Sequence, residues 1–238
     1  QMEATTSVAS EIGFLISDLL ISNIDAIDTA EYKGEIELNN FDIGAFLNDS
    51  LFGEISLKGD VNGSGFNLDD VNTSFIGNVS ELQFKGYSYH NIIANGQYQN
   101  NKFDSELAID DEYFKMKFSG LADLSSDVYK FDFKSDISYL NLKETNLFVR
   151  DSISRLKGVV ELDIEGNTFN DIVGNAVFKE VFYTNQKKEF SFKEFEISSS
   201  LKDSIKSINV VSEDIAKGYL KGKFTFSEVS KVAQNALG

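Results

Sequence analysis

KFDSELAIDDEYFKMKFSGLADLSSDVYKFDFKSDISY, residues 102–139, decides how the rest of the chain is read. Apolar side chains fall on every second position: Phe114, Met116 and Phe118, then Tyr129, Phe131 and Phe133, then Ile137 and Tyr139. Lys115, Lys117, Lys130, Asp132, Lys134 and Asp136 fill the places between. Successive side chains of a strand point to opposite faces, so each run has one apolar face and one wet face. Asp110-Asp111-Glu112 and the segment from Gly120 to Asp127 break the runs with turn-forming residues. The pattern predicts an antiparallel meander, solvated on one side and apolar on the other.

Outward from this stretch the alternation continues. Tyr32–Leu38, Leu51–Val61, Val71–Val79, Leu82–Tyr89, Ile92–Tyr98 and Lys102–Ile109 read as strands, the last two as a hairpin around Gln99-Asn100-Asn101. Leu156–Ile164, Ile172–Tyr183, Phe190–Ile197, Ile205–Val211 and Gly218–Phe226 extend the series. Ser10–Ile24 fits both a strand and a helix stripe, and its β-branched and aromatic content favours strand. Phe41–Leu47 reads as one or two helical turns, and Gly63-Ser64-Gly65 as a flexible turn. Leu142–Arg155 breaks the period, which predicts a subdivision into residues 1–141, a crossover or short helix at 142–155, and residues 156–238. At the end, Ser227 reads as an N-cap, followed by Val229, Val232, Ala233, Ala236 and Leu237 on one helix stripe. The fold class expected is all-β: an elongated antiparallel meander with short helices, one of them C-terminal.

Composition narrows function. The net charge is −16 over 238 residues with a pI near 4.4, which argues against nucleic acid and anionic membrane surfaces as partners. Cysteine is absent, so there is no disulfide frame or thiolate catalyst. No apolar run is long enough to span a bilayer as a helix. The start, Gln1-Met2-Glu3-Ala4, lacks a signal-peptide pattern, so the sequence reads as cytosolic or as a piece of a longer chain.

Catalytic constellations are sparse. His90 is the only histidine and reads as a surface or turn residue. Asp69-Asp70 and Asp110-Asp111-Glu112 read as solvated turns, because no calcium-loop spacing surrounds them. A glycosidase carboxylate pair lacks the tryptophan on which sugars usually stack. The expectation is a non-enzyme with no cofactor and no metal.

The positive signal is 21 phenylalanines and 9 tyrosines, placed mostly on one parity of the strands. Such a face must be covered. It can seal on itself as a sandwich, serving as an adhesion or carbohydrate-binding module, or it can curl without closing and leave a groove for an acyl chain. The residues expected to line the groove are Leu82, Phe84, Phe114, Met116, Phe118, Phe131, Phe133, Phe190, Phe192, Phe224 and Phe226.

Several phrases resemble the TamB-like proteins of Bacteroidetes-type bacteria. They are Tyr32-Lys33-Gly34 with Phe41-Asp42-Ile43-Gly44, Gly86-Tyr87-Ser88-Tyr89-His90-Asn91-Ile92 followed by Gly96, Gly120 with Asp123, and Val211-Ser212-Glu213-Asp214 before Tyr219–Gly222 and Phe224-Thr225-Phe226. Asp110-Asp111-Glu112 departs from the Asp-Pro-Asn turn expected there. The resemblance to the TamB and AsmA-like group implies an interior slice of a long, inner-membrane-anchored periplasmic protein. That group folds as a sheet open along one edge, the β-taco, which conducts phospholipid to the outer membrane. It implies phospholipid acyl chains as ligand, a TamA-type outer-membrane barrel as partner of the whole protein, and no catalytic residues.

Overall fold

The structure, a computed structural model, describes residues 2–26, 29–65, 71–168 and 170–225. Among the described residues, fourteen strands form one antiparallel sheet in which spatial order equals chain order. They are β1 (Met2–Ser10), β2 (Gly13–Ser22), β3 (Glu31–Asp42), β4 (Phe52–Ser64), β5 (Asn72–Phe84), β6 (Tyr87–Gln99), β7 (Lys102–Asp110), β8 (Phe114–Asp123), β9 (Lys130–Asn141), β10 (Ser154–Glu165), β11 (Val173–Asn185), β12 (Glu189–Lys202), β13 (Ile205–Val211) and β14 (Lys217–Gly222). One short helix, α1 (Ile43–Leu47), follows β3, with the Asp42 carboxylate accepting from the Ala45 amide. β1 and β14 do not pair with each other, so the sheet is an open meander and not a barrel.

The strands of the 102–139 stretch lie where its alternation puts them, in β7, β8 and β9. Ser10–Ile24 is strand for most of its length, and it fitted two patterns because both faces of β2 are apolar. Leu15, Leu19 and Ile21 share a face with Leu38 and Tyr32 of β3, while Phe14, Ile16 and Leu20 point the other way. The hairpin at Asn100-Asn101 is present, with both residues at positive φ as a two-residue turn requires.

Four readings need correction. The break expected between Val79 and Leu82 is absent; the β5–β6 turn is at Lys85-Gly86, where two successive positive φ values, 52° and 75°, match strand twist. Gly63 and Ser64 belong to the β4 ladder, opposite Thr73 and Asn72, and are not a loose turn. Met2–Ser10 is a strand that its polar sequence did not announce. Asp111 is not a solvated turn residue but is buried, with 2% of its surface exposed. The C-terminal helix expected from Ser227, together with Phe226 and Asp69-Asp70, lies outside the described residues. Across residues 142–153 the chain makes a series of turns, and β9 and β10 pair directly on either side of it.

A crease runs across the sheet. In six strands the inward apolar positions step by three residues instead of two: Leu38 to Phe41, Val79 to Leu82, Tyr89 to Ile92, Ile137 to Leu140, Phe178 to Val181, and Phe192 to Phe195. Asn40, Asn91 and Glu180, within these steps, have positive φ of 48°, 54° and 48°. Register shifts in the β3–β4, β4–β5, β8–β9, β9–β10 and β10–β11 pairs fall on the same line. An extra residue bends a strand and sharpens its twist, so aligned bulges turn this end of the sheet as a unit.

The buried core straddles the crease. Ile55, Val79, Tyr89 and Ile92 form its centre, with Phe41, Ile43, Leu82, Phe84, Tyr87 and Phe114 packed around it. The 142–153 segment covers it: the Tyr89 hydroxyl donates to the Thr145 carbonyl at 3.3 Å and the Asn146 side-chain Nδ2 to the Lys85 carbonyl at 3.1 Å. On the far side of the crease from this segment the sheet has no such cover. The chain exposes 15176 Å², where a compact monomer of 26.5 kDa exposes roughly 10,700 Å².

Candidate functional site, the inner face of the sheet

Strand register carries the alternation of each strand into rows that cross the sheet. Leu15, Leu38, Leu57, Val79, Ile92, Ile109, Met116 and Ile137 are successive cross-strand partners from β2 to β9. A second row runs Gly59, Gly77, Ala94, Leu107, Phe118, Ser135, Val160, Phe178 and Phe195 from β4 to β12. A third includes Val61, Phe75, Gly96, Ser105, Gly120, Phe133, Leu162, Ala176 and Ile197. Partners on one face are near enough to touch, so the rows make a continuous apolar band. At the usual spacing between strands, fourteen of them span about 60 Å.

Small and large residues interlock along this band. Phe75 lies over Gly59 and Gly77, so that a Cβ on either glycine would come within 2.7 Å of the ring. The Phe133 ring occupies the corresponding space above Gly120 and packs on Phe118 and Phe131, with ring centres 5.4 and 5.7 Å apart. Laying a ring on a strand glycine covers its bare backbone and keeps the face apolar.

Charge is sorted to the other face. Away from the crease, the inward positions of the described strands carry no charged side chain from β1 to β12; Lys206 of β13 is the first. The outer face carries cross-strand ion pairs, among them Lys58–Glu35 at 2.8 Å and Glu161 held between Lys134 at 2.9 Å and Lys179 at 2.6 Å. Exposed pairs of this kind contribute little stability. They do keep one side wet and so fix which side is inward.

Of the expected groove residues, Leu82, Phe84, Phe114, Met116, Phe118, Phe131, Phe133, Phe190 and Phe192 share the inner face, in two groups. Leu82, Phe84 and Phe114 belong to the core at the crease, with Phe84 against Phe52 and Phe114 against Tyr89. Phe118, Phe131 and Phe133 lie on the uncovered side and remain partly accessible. Phe190 is half exposed, at 50%. Phe224 follows the end of β14 and is outside the sheet.

Sequence reasoning missed Phe75, Phe178 and Phe195. Phe178 and Phe195, 6.3 Å apart, lie beside the three-residue steps that strict alternation does not foresee. Phe75, Tyr98, Phe103 and Leu107 border a shallow hollow of about 110 Å³ on this face. A larger hollow of about 420 Å³ opens on the outer face, its lining a mixture of apolar Ile93 and Ala108 with charged Glu106, Lys117 and Lys134.

The most extensively hydrogen-bonded carboxylate near the core is Asp111. Asp111 accepts from the Tyr87 hydroxyl at 2.6 Å and from the amides of His90 and Tyr113 at 3.1 and 2.9 Å. Burial works against its charge, but these hydrogen bonds outweigh it and hold the carboxyl below the ordinary carboxylate range. Burial, and then the Asp111 carboxylate, push the Tyr87 hydroxyl well above its ordinary value. Among the described residues no group of acidic or histidine side chains is placed to hold a metal ion, and no helix is long and apolar enough to cross a membrane. Comparison with protein-family models, curated proteins and solved structures finds no match for this chain.

Proposed function

We propose that the inner face is a groove for phospholipid acyl chains, and that the protein is a non-enzymatic segment of a TamB-like, AsmA-like envelope protein acting in the periplasm. In this reading the groove passes lipid toward the outer membrane, and the full-length protein works with a TamA-type barrel. The family, location and barrel partner rest on the sequence resemblance. The groove rests on one observation: an inward face free of charge from β1 to β12, with its central phenylalanines left partly exposed. Each methylene taken out of water contributes roughly 0.8 kcal/mol, so one acyl chain gains several kcal/mol on such a surface. A polyhydroxylated sugar gains little there. Sealing as a sandwich would bury those phenylalanines, and Phe103, 47% exposed, is among the inward aromatics that remain open.

The test is crosslinking to a phospholipid bearing a photoactivatable acyl chain, with native mass spectrometry of the purified protein. Wild type should carry lipid. Phe133→Lys and the less packed Phe103→Lys should lose most of the crosslink while keeping the strand signal in circular dichroism. Folded variants that crosslink as well as wild type would refute the groove.

A further inference from the structure

We infer that the covered end of the sheet docks on a bilayer surface rich in anionic headgroups, whatever the inner face binds. Three turns touch there. The Asn146 side chain donates to the Lys85 carbonyl, tying the 142–153 segment to the β5–β6 turn. The Gln186 side chain donates to Asp151 at 3.2 Å, tying the same segment to the β11–β12 turn. These turns present five exposed cations, Lys85, Lys143, Arg150, Lys187 and Lys188, against two acids, Glu144 and Asp151. Asp151 is also engaged by the Tyr183 hydroxyl at 2.9 Å.

In a chain of net charge −16 this is a local cluster of positive charge, narrowed by exposed Glu112 of the intervening β7–β8 turn and by Glu189 at the start of β12. The turns joining strands at the opposite end show the contrast: their described residues include Asp25, Asp127, Asp171 and Asp203 and no lysine or arginine. Phe148, Val149 and Ile153 of the 142–153 segment are exposed as well, Val149 at 67%. Exposed apolar side chains on a segment that also carries Lys143 and Arg150 match an interface where acyl chains lie beneath phosphates. Screening confines each charge to roughly 8 Å at physiological salt, so the membrane would meet this tip and not the acidic remainder.

Flotation of the full 238-residue chain with phosphatidylcholine vesicles, and with vesicles containing phosphatidylglycerol, tests the inference. Binding should require phosphatidylglycerol and weaken as salt rises. Lys187→Gln with Lys188→Gln should weaken it about thirtyfold, and Phe148→Ser about tenfold. Lys202→Gln, at the opposite end, should leave it unchanged. Absence of vesicle binding by the wild type, equal binding to both vesicle types, or an equal loss with Lys202→Gln would overturn the proposal. Equally tight capture of soluble polyglutamate would also overturn it, by reassigning the tip to an acidic polypeptide.

Discussion

The Tyr87 hydroxyl and the Asp111 carboxylate meet at 2.6 Å, joining β6 to the turn after β7 beneath the covered end of the sheet. Asp111 is more acidic in the folded chain than in the unfolded one. Its contribution is therefore present above the ordinary carboxylate value of 3.8 and is lost as pH falls below it toward the folded value. Asp111→Asn keeps the shape but loses a charged acceptor, which costs about 1.5–3 kcal/mol. Urea titration of both proteins at neutral pH and near pH 3 should show the difference shrinking in acid, and a constant difference would contradict the assignment.

Phe75 leaves no room for a side chain on Gly77. A Cβ there would lie 2.6 Å from the ring and 2.7 Å from the Gly59 Cα. Gly77→Ala should cost about 1–3 kcal/mol through overpacking. Gly218→Ala, with open space around the added atom, should cost much less. Their urea midpoints make the comparison directly.

Leu140 is 4% exposed and Phe103 is 47% exposed, although both point inward. Leu140→Ala should cost about 2–5 kcal/mol, the range for a truncated core leucine. Phe103→Ala, despite deleting a larger side chain, should cost less than Leu140→Ala. The reverse order in thermal unfolding would move the stabilising core away from the crease and onto the uncovered face.

Glu180 holds a left-handed backbone, φ 48°, in the middle of β11. An L-residue there carries a penalty of about 1–2 kcal/mol, part of which asparagine relieves by local hydrogen bonding. Glu180→Asn should raise stability by up to about 1 kcal/mol, and Glu180→Val should lower it. Equal midpoints for the two variants would remove the inverted residue from the account of the crease.

The parts legible in the sequence are those governed by nearest residues. Phe114, Met116 and Phe118 alternate with lysines, and β8 follows directly. Asn100-Asn101 marks its own hairpin. The crease was not legible, because Val79–Leu82 and Tyr89–Ile92 look like strand ends when read with period two; their three-residue spacing, repeated in six strands, was the available signal. β1 was missed because its inward positions, Ala4, Thr6 and Ser10 among them, are small or polar and its place is set by pairing with β2. The burial of Asp111 depends on Tyr87, 24 residues away, and no local pattern reports that. Whether the sheet closed on itself was equally hidden, since alternation constrains one strand at a time.

Because strand order equals chain order in a meander of even number, the molecule can be lengthened in only one kind of increment. Adding a hairpin moves everything after it sideways by two places and leaves its oily surface facing the same way. Adding a lone strand would turn that whole downstream block inside out. The hairpin is therefore the module by which such a ribbon grows or shrinks, and a deletion that respects it should leave both flanks able to fold against their new neighbours.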